Sequence, residues 1–140
     1  MTMDKNEEFA SGGQDESDLR ERVKELTCLY ELSRLTEVAD SVEWLLAESV
    51  KLLPRAFQFP ESGVARIRYE TRVFESDSWQ DCRQVLKRPM KGLTSGPGFV
   101  EVGYVEAFPF LPEEAKLLEM VAEHLVQVIE RLKTLEALRS

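Results

Sequence analysis

The sequence predicts an α+β fold in which the N- and C-terminal helices pack on one face of an antiparallel sheet. Two observations carry this expectation. Apolar residues recur at helical spacing near both ends of the 140-residue chain, and the middle alternates between apolar and polar residues, as strands do. The candidate strands are joined by connections of hairpin length, which argues against a parallel sheet with helical crossovers.

The N-terminal part predicts a tail followed by a helix. Residues 1–17 are polar and acidic and should be disordered, because they bury too little apolar surface to offset the entropy of ordering. A helix is expected to begin near Asp18, where Glu21 follows at capping-box spacing, and to end within residues 36–39. Its first turns carry a coiled-coil-like seam of apolar residues spaced four and three apart: Leu19, Val23, Leu26 and Tyr30.

The middle of the chain predicts a second helix and three or four strands. The helix follows Asp40, and Pro54 closes it. Strands are expected over residues 63–70, 73–75, 79–86 and 99–106, and the Gly- and Pro-rich residues 89–98 form a loop. In the first strand, alternation places Ala65, Ile67 and Tyr69 on one face and Arg66 and Arg68 on the other.

The last stretch, residues 112–140, predicts one long helix that begins at Pro112. Its apolar residues form a second heptad seam: Leu118, Val121, Leu125, Val128, Leu132 and Leu135. Such a seam favours pairing with another helix, so we expect a homodimer with parallel helices. The predicted organisation is a tail (1–17), an α+β domain with its N-terminal helix (18–111) and a long C-terminal helix of coiled-coil type (112–140).

Charge and composition restrict the function classes. The net charge of −8 and the pI of about 4.8 argue against binding to nucleic acid or to anionic membrane surfaces, because both depend on Lys and Arg. No apolar run approaches the roughly 20 residues of a membrane span. Cys28 and Cys82 lie far apart without metal-ligand spacing, so no disulfide framework or zinc site is expected. These features fit a reducing cytoplasm.

Residues that could carry chemistry are few. His124 is the only histidine, and a solvated or interfacial role is expected, with a metal or haem ligand or a phosphoacceptor as the alternative. For Cys28 and Cys82 a role as small buried hydrophobes is favoured over chromophore attachment or redox sensing. The glycine-rich residues 92–98 lack the Gly-Lys-Ser/Thr of a phosphate loop and predict a plain turn. We therefore expect neither catalysis nor a bound metal or cofactor.

Six stretches in order along residues 20–140 carry a family resemblance: ERVKELTCLYELSRL (21–35), EWLLAESVKLLPRAFQFPE (43–61), ARIRY (65–69), GFVEVGY (98–104), FLPEEAKLL (110–118) and IERLKTLEALR (129–139). Together they resemble a GAF-like sensor domain of the kind found N-terminal to histidine kinase or PAS modules in prokaryotic signalling proteins. The resemblance implies terminal helices on one side of the sheet and a ligand pocket on the other, under a lid. Here the lid, residues 79–98, is short, and no cyclic-nucleotide signature is present.

The expected function is that of a non-catalytic sensory or regulatory module of a two-component type signalling protein. It would dimerise through its terminal helices and act on a downstream kinase or PAS output domain. A small anionic or carbonyl-bearing ligand would bind on the sheet face, at Arg66, Arg68, Trp79, Phe99 and Tyr104. The first alternative is a pure dimerisation scaffold with a degenerate pocket. A small enzyme or metal-binding protein that uses His124 is the least favoured.

Overall fold

The computed structural model describes the backbone of residues 2–139 and the side chains of residues 16–139. Three helices, two short 3-10 turns and four strands follow one another: α1 (Thr2–Val38), α2 (Val42–Leu52), 3-10 turns at Pro54–Ala56 and Pro60–Ser62, β1 (Gly63–Tyr69), β2 (Arg72–Glu75), β3 (Gln84–Pro89), β4 (Gly98–Tyr104) and α3 (Pro112–Arg139). The fold is α+β, as the sequence predicts.

Helix α1 differs from the prediction at its beginning. It starts at Thr2 and not near Asp18, so the structure has a helix where the sequence predicted a disordered tail; Met1 lies outside the described residues. Residues 2–38 contain no proline, so no residue blocks a continuous helix, although Gly12 and Gly13 disfavour one. At 1.5 Å per residue, a helix of 37 residues is about 55 Å long.

Helix α2 begins one residue later than expected. Its N-cap is Ser41 rather than Asp40, because the Ser41 hydroxyl accepts a hydrogen bond of 3.1 Å from the Trp44 backbone N–H. Pro54, which lacks a backbone N–H, ends the helical region and opens the first 3-10 turn. The two ends therefore follow ordinary capping chemistry.

The four strands form one antiparallel sheet in the order β2-β1-β4-β3. In the register, Ile67 lies between Phe74 of β2 and Val100 of β4. The third strand is Gln84–Pro89, whereas the sequence predicted residues 79–86, and the fourth ends at Tyr104 and not at residue 106. Six of the twenty residues of the predicted lid, 79–98, thus form the edge strand β3.

The helices form two layers on one side of the sheet. Helices α2 and α3 pack directly against the strands, and α1 packs on α2, α3 and the first 3-10 turn. Both terminal helices therefore lie on one side of the sheet, as predicted, with α1 in an outer layer over α2 and α3. Leu29 and Met120 line one groove, and further along both helices the Arg131 guanidinium donates to the Thr36 carbonyl at 3.1 Å. Helices α1 and α3 therefore run in the same direction.

Candidate ligand face and dimer surface

The outer face of the sheet, away from the helices, carries a cluster of two arginines and one carboxylate. Arg66 donates to Glu101 through Nε at 2.9 Å and Nη2 at 3.3 Å. Arg68 donates to the same carboxylate through Nε at 2.8 Å and Nη2 at 3.1 Å. The two guanidinium groups lie on the predicted face, but both are held by Glu101, a residue that the sequence analysis did not single out.

Glu101 is 2% exposed, and its charge is maintained by its partners. Burial alone would raise the pKa of the carboxyl, but the hydrogen bonds from Arg66 and Arg68 outweigh it, so the pKa lies below its ordinary value. Two bidentate guanidinium groups on one carboxylate are a strong, geometrically defined arrangement. The cluster forms because Glu101 lies opposite Arg66 in the register of β1 and β4, and no local sequence pattern predicts this register.

Trp79 and Phe99 complete this face by packing over charged groups. The Arg66 guanidinium lies 3.9 Å from the centre of the Trp79 ring, and the Lys87 ammonium lies 4.0 Å from the centre of the Phe99 ring. The segment around Trp79 and Cys82 lies directly on Gly103, because a Cβ atom at Gly103 would be 2.4 Å from the Cys82 sulfur. The side chains of Trp79 and Cys82 therefore pack on the face at which a ligand was expected.

Tyr104 is not part of this face. It has the same strand parity as Val100 and Val102, and all three are fully buried on the helix side. Its hydroxyl donates to Glu114 at 2.9 Å and accepts from the Phe59 N–H at 3.3 Å. Burial, reinforced by the Glu114 charge, raises the pKa of Tyr104. Its assignment to the ligand pocket is therefore wrong, and its role is to tie β4 to the start of α3.

Glu114 closes this buried network. Besides the Tyr104 hydroxyl, its carboxylate accepts hydrogen bonds from the Gln58 N–H at 2.8 Å and the Leu111 N–H at 2.7 Å. The residue is 3% exposed. Glu114 lies in the first turn of α3, where an acidic side chain favours the helix dipole, and it also accepts hydrogen bonds from backbone donors of two loops.

The heptad seam of α3 is core and not a dimer surface. Five of its six residues are at most 5% exposed within the single chain: Leu118, Val121, Leu125, Val128 and Leu132. Only Leu135, at 41%, is exposed. The seam that the sequence analysis assigned to a partner chain instead packs against this chain's own sheet and helices, since a heptad stripe does not distinguish an internal neighbour from an external one.

The apolar seam of α1, in contrast to that of α3, is exposed. Its four residues are between 53% and 63% exposed: Leu19, Val23, Leu26 and Tyr30. The domain-facing side of the same helix is formed by Cys28, Leu32 and Thr36, which are buried. Helix α1 thus has apolar residues on two opposite sides, and only one side is covered within the chain. We call the exposed side the outer stripe, Leu19–Val23–Leu26–Tyr30.

His124 lines a groove of about 350 Å³ between α1 and α3, together with residues such as Leu29 and Met120. Its Nε2 is buried and has no hydrogen-bond partner among the described residues. Burial, and then the nearby charge of Arg131, lowers the pKa of the imidazole, which favours the neutral form. His124 is therefore part of the contact between the two long helices.

Both cysteines are unpaired, with Cys28 buried on α1 and Cys82 half-buried in the loop before β3, not within a strand. Burial raises the pKa of the Cys28 thiol to about 11. Among the residues whose side chains are described, no group of three or more His, Cys, Asp or Glu is placed to hold a metal ion. Within the described part of the chain, no helix has the length and apolar character that a membrane span requires.

No protein-family model matches the chain, and no curated protein sequence matches it significantly.

Proposed function

We propose that the chain is a non-catalytic regulatory module that dimerises through the outer stripe of α1. The observation that carries this proposal is the exposure of Leu19, Val23, Leu26 and Tyr30, all above one half. Apolar residues on both sides of a helix are typical of a helix that is covered on both sides. The domain covers only the side that contains Cys28 and Leu32.

A second copy of the same chain is the partner that fits the stripe. Its residues are spaced four, three and four apart, so Val23 and Tyr30 take one core position of a heptad and Leu19 and Leu26 the other. A two-stranded coiled coil requires this spacing in both helices, and an identical helix supplies it. Two copies paired in parallel would bury all eight apolar side chains.

The parallel direction of α1 and α3 supports a role in transmitting a signal to an output domain. Because α1 and α3 run the same way, α1 begins at one end of the domain and α3 ends at the other. In a parallel dimer, the two α3 ends would lie on the same side, where a kinase or PAS output domain could follow. The resemblance to GAF-like sensors favours this interpretation over an isolated scaffold.

The contacts on the outer face of the sheet favour the alternative of a dimerisation scaffold with a degenerate pocket. Arg66 and Arg68 both bind Glu101, and the segment around Trp79 covers Gly103. A ligand on that face would have to displace these contacts. We therefore propose that the dimer surface, and not the sheet face, is the functional surface.

Light scattering coupled to size exclusion, on the purified chain at micromolar concentration, tests this proposal. We expect twice the mass of 16.1 kDa for the wild type and the monomer mass for Leu26→Glu, because a charge in the seam opposes pairing. Thr27→Glu is the matched control: it places the same charge on the next exposed residue, beside the stripe, and should remain dimeric. A monomeric wild type, or equal masses for both variants, would contradict the proposal.

A further inference from the structure

A second cavity lies between the end of β3 and helix α3, on the helix side of the sheet. Its volume is about 290 Å³, and it is lined by Arg88, Pro89, Lys91, Glu119 and Glu123. This volume is near the lower end of the range of about 300–1,000 Å³ for small-molecule sites. It is separate from the predicted site at Arg66 and Arg68, which lies on the opposite face of the sheet.

The walls of this cavity carry opposite charges. Arg88 points to the helix side, since it shares strand parity with Leu86 and lies opposite the buried Val100. Lys91 follows in the β3–β4 loop. Glu119 and Glu123 are four residues apart on α3 and therefore on one side of that helix. The cavity thus has two cations on the strand side and two carboxylates on the helix side.

These charges do not neutralise one another directly. Within residues 16–139, the ion pairs closer than 4 Å involve none of the four side chains. Arg88 uses one Nη1 donor on the Lys87 carbonyl at 2.9 Å, which leaves its Nε and Nη2 free. Lys91, Glu119 and Glu123 are exposed and Arg88 is half-buried, so water solvates these charges, and a dipolar molecule in the cavity could replace that water on both walls.

The cavity is held in place by the loop that follows β3. The Thr94 backbone N–H and hydroxyl bond Glu130 of α3 at 2.7 and 3.0 Å. Gly92, with φ +93°, would bring a Cβ atom within 3.7 Å of Val126 on the same helix, so the loop passes close to α3. These contacts connect the loop that carries Lys91 to the helix that carries Glu119 and Glu123.

We propose that this cavity binds a small zwitterion of the size of a free α-amino acid. Its carboxylate would bind Arg88 and Lys91, and its ammonium group would bind Glu119 and Glu123. A ligand with a single charge would engage only one wall and leave the other unpaired. An amino acid satisfies both with charge-assisted hydrogen bonds.

Glu123 connects this cavity to the dimer-forming helix. It also lines the groove between α1 and α3 that contains His124 and Met120. A ligand that holds Glu123 in the cavity would therefore change how α3 meets α1. This effect on assembly rests on the proposed function, whereas the binding itself does not.

The test measures thermal unfolding of the full chain with each of the common free amino acids at millimolar concentration. Acetate and methylammonium serve as single-charge probes. We expect at least one amino acid to raise Tm by about 3 °C or more, and neither single-charge probe to do so. Titration calorimetry with that amino acid should then show at least a tenfold loss of affinity for Lys91→Met and for Glu119→Gln. The controls Lys51→Met on α2 and Glu136→Gln near the end of α3 should bind as the wild type does.

The proposal is overturned if no amino acid raises Tm. It is equally overturned if acetate alone gives the same shift, which would indicate a simple anion site, or if the two cavity variants bind as their controls do. Light scattering on the same samples tests the proposed dimer independently of amino-acid binding. A dimer that binds no amino acid refutes only the site, and a monomer that binds one refutes only the dimer.

Discussion

Leu26 and Cys28 lie two residues apart on α1 and face opposite sides of the helix: Leu26 is 60% exposed, and Cys28 is 4% exposed. Two residues correspond to a rotation of about 200° around a helix. Cys28 therefore contacts the domain, and Leu26 faces away from it. The same relationship holds for Tyr30 and Leu32, one turn later. This pair of relationships is the basis for assigning the dimer surface to α1.

Leu132→Ala should destabilise the monomer fold by about 2–4 kcal/mol, because Leu132 is 5% exposed in the core. The matched control is Leu138→Ala near the end of the same helix, where the side chain is 78% exposed and the expected change is below about 0.5 kcal/mol. Urea unfolding followed by circular dichroism measures both. If Leu132→Ala left the free energy of unfolding unchanged and yielded monomers, the α3 seam would be the dimer surface after all.

Glu101→Gln should lower stability at neutral pH by about 2 kcal/mol, because two arginines lose their charged acceptor. The pH dependence has a defined sign. Since the pKa of Glu101 is lowered by folding, its contribution is present above the unfolded pKa of about 4.3 and is lost as the pH falls through the folded pKa.

Unfolding measured in urea between pH 7 and pH 3 checks this prediction. The stability curves of the wild type and Glu101→Gln should converge at the acidic end. Curves that remain parallel across that range would show that the carboxylate does not carry the effect. The remaining acid dependence should be common to both proteins, since Glu43 and Glu130 also have lowered pKa values.

Tyr104→Phe should lower the free energy of unfolding by about 1–2 kcal/mol, because Glu114 loses a donor and the Phe59 N–H loses its acceptor within the core. Thr134→Val is the control, because it removes an exposed hydroxyl that donates to the Glu130 carbonyl within α3. Thermal unfolding distinguishes the two. Equal melting temperatures for Tyr104→Phe and the wild type would refute a structural role of this hydroxyl.

Local patterns predicted most elements of this fold. The alternation at Ala65, Ile67 and Tyr69 correctly placed these residues towards the helices, and Pro112 correctly marked the beginning of α3. The alternation along β4 also predicts the observed position of Tyr104, because Val100 and Val102 lie on the same face of the strand. Its assignment to a pocket on the arginine side was inconsistent with that alternation.

Long-range packing could not be predicted in the same way. The stripes at Leu26 and Leu125 have the same heptad spacing, yet one is exposed and the other is core. What decides between them is the position of α2 and the sheet, which depends on residues far away in the chain. The Arg66–Glu101–Arg68 cluster likewise depends on the register of β1 against β4, which no local pattern contains.

The most direct measurement of the central claim is disulfide cross-linking of single-cysteine chains. The native thiols are removed by Cys28→Ala and Cys82→Ser, and one cysteine is introduced by Leu26→Cys or, as the matched control, by Thr27→Cys. Paired cysteines must approach to a Cα separation of about 4.4–6.8 Å. In a parallel dimer through the outer stripe, position 26 meets its own copy. Under mild oxidation the account predicts a rapid covalent dimer for Leu26→Cys and little for Thr27→Cys. Equal cross-linking of the two chains, or none in either, would contradict it.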